Sequence, residues 1–150
     1  MRFPRKLTVN RERAFNPPNE GKAILMPLAY WCVLVAAILP LIIVVFAKAG
    51  GDGDNHHPRD SAERLPPTAR RAYAAHLNAY ENFPFFAAAV IIAKTQDAPL
   101  TTLNILAALY IVLRIAHAAL YIGDYATPRS VVFSVAWLIN IAIFVLPLFR

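Results

Sequence analysis

Four apolar stretches separated by polar breaks organise the chain. The first, Ala23–Ala47, runs without a charge from Lys22 to Lys48, longer than the roughly 20 apolar residues a helix needs to cross a bilayer core. The second is mixed: Arg70–Pro84 carries charged and amide side chains, and only Phe85–Ala93 is wholly apolar. The third, Leu100–Gly123, is interrupted by Arg114 and His117, and the fourth, Val131–Phe149, by Asn140 alone among strongly polar residues. The pattern predicts helices at about 23–48, 68–94, 99–123 and 129–149. Together they make an all-α integral membrane four-helix bundle, residues 23–150, behind a basic polar tail, residues 1–22. The connection Lys94–Pro99 is so short that the second and third helices must be antiparallel neighbours. Pro27 falls near the start of its helix, where proline is tolerated, and Tyr30 and Trp31 suit the membrane interface.

Composition fixes the class. The 150 residues are 58% hydrophobic and 16% charged, whereas soluble domains carry about a quarter charged residues. The charged residues, with a net charge of +6, crowd into Met1–Lys22 and Lys48–Arg71, where basic residues anchor a membrane protein at lipid headgroups. That distribution excludes a nucleic-acid binder. Lysine and arginine are nearly balanced between the two sides, so the count does not set an orientation. The tail is too polar and too long before the first apolar run to be a cleaved signal peptide. The single cysteine, Cys32, can form no intrachain disulfide and reads as helix packing. His56 and His57 lie beside Asp52 and Asp54 in a glycine-rich loop, but their spacing fits no zinc pattern and no metal is expected.

The chemistry gathers on two helices. Glu81 stands well inside the second, where an ionised carboxylate costs about 2.5–3.5 kcal/mol on insertion scales. Arg71, Asn78 and Glu81 fall within roughly 80° of one another around that helix, whereas His76 points elsewhere. On the third helix Arg114, His117 and Tyr121 form one stripe. A buried arginine requires a partner, and Glu81, at a similar depth on the antiparallel neighbour, is the expected one. Taken alone, these residues allow either a buried pair that fixes helix register or a binding site. His76 reads as a satisfied interfacial histidine, Tyr73, Tyr80 and Tyr125 as interface anchors, and Asn140 as an interhelical hydrogen-bonding residue. Arg129, at the start of the fourth helix, fits a headgroup contact or a functional role.

The stretch Arg71-Ala72-Tyr73-Ala74-Ala75-His76-Leu77-Asn78-Ala79-Tyr80-Glu81-Asn82-Phe83-Pro84 resembles the second-helix signature of the membrane-associated proteins in eicosanoid and glutathione metabolism, the MAPEG family. Arg114-x-x-His117-x-x-x-Tyr121, followed by Pro128-Arg129-Ser130, is similar to the third helix and following loop of its prostaglandin E synthase and microsomal glutathione transferase-like members. The resemblance implies a homotrimer with glutathione as co-substrate between subunits and a lipophilic small molecule as its target. Arg71, Asn78, Glu81, Arg114, His117 and Tyr121 would then bind glutathione. Arg129 would stabilise its thiolate, and Ser130 would be a second donor. Between Tyr121 and Arg129 the chain is one residue shorter than the pattern it resembles, and Asn82 stands where some relatives have tyrosine. The function implied is a glutathione-dependent transferase or peroxidase. A non-catalytic lipid-binding protein and a small exporter using Glu81 are the alternatives from other classes.

Overall fold

The computed structural model describes residues 26–50 and 64–149. The basic tail and the loop bearing His56 and His57 lie outside the described residues. Four helices follow in order: α1 (Leu28–Ala49), α2 (Pro67–Thr95), α3 (Leu100–Ile122) and α4 (Ala126–Val145), the last tightening into a 3₁₀ turn over Leu146–Phe149. Helices α2 and α3 each pack on the other three, and α1 and α4 flank them.

Proline chemistry explains most differences from the expected boundaries. Helix α2 opens on Pro67, at the position where a missing N–H costs nothing. Helix α4 begins at Ala126 rather than at 129, because Pro128 sits in the first turn, before any intrahelical donor is required. Both α1 and α2 run continuously through Pro40 and Pro84.

The turns between α2 and α3 and between α3 and α4 close in the same way. In each, an aspartate adopts a left-handed backbone, Asp97 with φ 55° and Asp124 with φ 66°. The following amide reaches back to the last helical turn, Ala98 N–H to Ala93 O at 3.0 Å and Tyr125 N–H to Leu120 O at 3.0 Å. These are Schellman closures in which aspartate takes the place glycine usually fills. At the end of α1, Gly50 is needed for proximity: a Cβ there would lie 2.9 Å from the Ala69 Cβ of α2.

Packing is by small residues. Ala36, Ala75, Ala79, Ala89, Ala93, Ala107 and Ala136 are buried, whereas Trp31, Leu41, Ile42, Phe46, Val112 and Leu138 point outward. Hydrocarbon rewards close backbone approach and does not penalise exposed leucine, so the arrangement suits lipid. Three helical segments are long and apolar enough to cross a membrane: Leu28–Ala49, Leu100–Ile122 and Ala126–Phe149. Helix α2 is long enough but more polar, and all three of those helices pack against it. Cys32 is buried in the main cluster, as its apolar setting suggested.

Polar contacts set helix register at two further points. The Asn104 side chain of α3 accepts the Ala29 N–H of α1 at 3.0 Å, capping that helix across 75 positions of sequence. His76 of α2 lies 2.8 Å, through Nδ1, from the Pro40 carbonyl of α1. A carbonyl only accepts, so Nδ1 carries the proton. His76 also packs edge-on against Tyr80, with ring centroids 5.1 Å apart.

Candidate functional site

Helix α3 aims its polar stripe into the bundle. Arg114 is 4% exposed and His117 3%, because residues three and seven apart share one helical face. The expected ion pair between Arg114 and Glu81 does not form. Arg114 instead donates through Nη2 to Asn78, at 2.9 Å to Oδ1 and 3.2 Å to the backbone carbonyl. Glu81 is exposed on α2 and has no ion-pair partner among the described residues. The two positions are three apart on one helix, about 60° around its axis. A modest rotation of α2 toward α3 therefore decides which side chain meets the arginine, and the shorter, neutral one does.

Further polar groups extend this contact. Asn82 Nδ2 donates to Asn78 O at 2.8 Å, and the Tyr110 hydroxyl lies 3.5 Å from Asn82 O. The Tyr110 ring stacks on Phe86, with centroids 4.0 Å apart and planes 12° from parallel. Nη2 makes both bonds to Asn78, whereas Nε and Nη1 of Arg114 have no partner among the described residues. The result is a buried guanidinium with neutral neighbours and donors to spare.

One end of the stripe opens to a rim. His117 meets Tyr121 edge-on at 5.8 Å and Phe133 of α4 at 5.8 Å. The guanidinium of Arg129 lies over the Tyr121 ring, 4.2 Å from its centroid, a cation–π contact. The early start of α4 brings Arg129 back against α3 despite the shortened connection. Its N–H donors have no partner among the described residues. Ser130 is exposed and donates to Ala126 O at 3.1 Å, so its hydroxyl presents lone pairs outward.

Arg71 stands at the same end of the bundle but is already engaged. Its Nε donates to Ile122 O at 2.9 Å, its Nη2 to Thr68 Oγ1 at 3.2 Å, and its Nη1 lies 3.4 Å from Asp124 Oδ2. It thereby braces the start of α2 against the carbonyl end of α3, which favours cations. Beside it is a cleft of about 370 Å³ lined by Pro67, Arg70, Arg71, Ala74, Tyr121 and Asp124.

The sequence-selected residues thus fall into two groups and two outliers. Asn78 and Arg114 are in direct contact; His117, Tyr121 and Arg129 form a chain of ring contacts, with Arg71 lining the same cleft as Tyr121; Glu81 stands apart, and Ser130 bonds back to its own helix. The pattern missed Tyr110, Asn82, Arg70 and Asp124. Of these, Tyr110 alone carried a signal, one turn before Arg114 on its stripe.

A buried arginine held by an asparagine of the preceding helix, leading to an arginine at the rim, is a specific arrangement for so small a bundle. No curated protein and no solved structure matches the chain. The MAPEG family model, by contrast, matches residues 28–149, a span that takes in all four helices. The chain is a multi-pass integral membrane protein of the MAPEG family.

Proposed function

We propose that this protein is a membrane-embedded, glutathione-dependent transferase or peroxidase in which Arg129 stabilises the thiolate that attacks a lipophilic electrophile. Membership of the family is consistent with such roles. One observation carries the finer reading. The stripe from Arg114 through His117 and Tyr121 to Arg129 has a guanidinium at each end, and neither is ion-paired to a carboxylate among the described residues. Uncompensated positive charge in a low-dielectric bundle is a place for an anion.

Glutathione brings carboxylates and a thiol. A free thiol of pKa about 8.5 is only slightly ionised at neutral pH, and a neighbouring guanidinium favours the anion. Arg129 cannot serve as the base, because arginine stays protonated in proteins. Its action is electrostatic, with the proton released to water at the exposed rim. The thiolate then attacks an electrophilic carbon or a peroxide oxygen delivered from the lipid. Ser130 acts as a donor to sulfur only if it gives up its bond to Ala126. Asn78 holds Arg114 in place, and the spare donors of Arg114 face the ligand.

A homotrimer is part of the proposal. Glu81 is a carboxylate without an ion-pair partner among the described residues, and either a neighbouring copy or the ammonium group of glutathione would supply one. The same exposure favours a second reading, a small exporter in which Glu81 carries a proton or cation. Proton-coupled uptake of a lipophilic cation into vesicles, lost in Glu81→Gln, would support the exporter instead.

The test is the ultraviolet absorbance of the thiolate on adding glutathione to the purified protein. A band in the wild type that disappears in Arg129→Ala supports the enzyme. Binding without a band would indicate a lipid- or thiol-binding protein on an enzyme's fold.

A further inference from the structure

The cleft beside Arg71 contains three charged side chains in unequal states. Arg71 has its donors committed to Ile122, Thr68 and Asp124. Arg70 lines the same cleft, is exposed, and has no partner among the described residues. Asp124 projects into it from the left-handed turn between α3 and α4, with its side chain 69% exposed. Tyr121 is shared: it lines the cleft and carries Arg129 on its ring. The volume lies in the range of about 300–1,000 Å³ typical of small-molecule sites.

We propose that Asp124 is a specificity-determining residue of this cleft, tying up Arg71 and leaving Arg70 to take a single ligand carboxylate. The inference rests on the glutathione reading and deepens it, by assigning one carboxylate of the tripeptide to Arg70 at the end of the site beyond Tyr121. Two arginines and one aspartate leave a net charge of +1. A monoanionic group balances that charge, whereas a dianion such as hydrogen phosphate brings a second negative charge that the cleft does not balance. The Arg71–Asp124 pair is open to solvent on its Asp124 side and such a pair contributes little to stability, so Asp124 can be altered without loss of the fold. Asparagine tolerates the left-handed backbone at position 124 as aspartate does, which makes Asp124→Asn a clean removal of charge.

The experiment compares wild type, Asp124→Asn, Arg70→Gln and the double variant in detergent, using calorimetric titration with glutathione and with its N-acetylated diester, which carries no charge. Asp124→Asn is expected to bind glutathione more tightly, on the order of fivefold after screening, with the diester unchanged. Arg70→Gln is expected to weaken glutathione and leave the diester unaffected. Equal effects on acid and diester, or no gain in Asp124→Asn, overturn the proposal. Inorganic phosphate is a second probe that does not depend on glutathione. Asp124→Asn should gain thermal protection from it that the wild type lacks, and the double variant should lose that protection. Phosphate protection as expected with no glutathione binding would sink the enzyme reading and leave the cleft assignment standing. No protection of Asp124→Asn by phosphate would sink the assignment.

Discussion

Arg114 and Arg129 are held in opposite ways. Arg114 is buried and fixed by the carbonyl and amide oxygens of one residue, Asn78. Arg129 is half-exposed and fixed by a ring face, which leaves its N–H edges open. Hydrogen bonds fix a guanidinium by using its donors, whereas stacking fixes it without using them. The first arrangement suits a residue that must anchor the bundle and lend it charge. The second suits one that must meet a ligand atom. Arg71 lies between them, bonded on all three nitrogens but partly open to solvent.

The contrast can be broken from either side. Asn78→Leu removes the partner of the buried cation and is expected to destabilise the protein by about 3 kcal/mol, since a charged group is left unsatisfied. Thermal unfolding in detergent measures it, and a loss as small as that of a surface substitution would show that Arg114 is held by something else. Arg129→Ala should leave unfolding nearly unchanged, because an exposed cation–π contact contributes only about 0.5–1 kcal/mol. Its expected effect is on turnover, on the order of a hundredfold if it stabilises charge in the reaction. Steady-state rates with a lipophilic electrophile check this. Arg71→Met removes the brace on the α3 carbonyl and should cost about 1 kcal/mol, intermediate between the other two, as read by the same unfolding assay. Glu81→Gln sharpens the comparison most cheaply. With no pairing to Arg114, it should shift the stability by no more than about 0.5 kcal/mol. A loss matching that of Asn78→Leu would restore the ion pair that the structure does not contain.

Helix number and the antiparallel turns were legible because lipid demands long apolar runs, and their interruptions are few. The α3 stripe was legible for the same reason: Arg114 and His117 are conspicuous among leucines and alanines. Choosing between Asn78 and Glu81 was not possible from charge. Electrostatic intuition selects the carboxylate, whereas the outcome depends on about 60° of helix rotation set by alanine packing along α2. Asn104 and Asp124 escaped because their work is done by tertiary contact and turn geometry. Nothing near Asn104 in sequence signals that it caps a helix so remote from it. The aspartates at 97 and 124 occupy a conformation for which the sequence marker is glycine. Arg70 and Arg71 look equivalent in sequence, and only their positions on α2 separate a brace from an open cation.

The two polar contacts on α1 have a consequence for the membrane around the protein. Asn104 holds the helix at Ala29 and His76 holds it at Pro40, eleven residues on, or about 16 Å along the axis. Pinned at both points, α1 cannot slide lengthwise past α2 and α3. A bilayer thicker or thinner than the apolar span must then be met by tilting the bundle as a unit, or by deforming the lipid against it. The position of the Arg129 rim relative to the headgroups is therefore a property of the whole bundle, and bilayer thickness becomes a variable that reaches it.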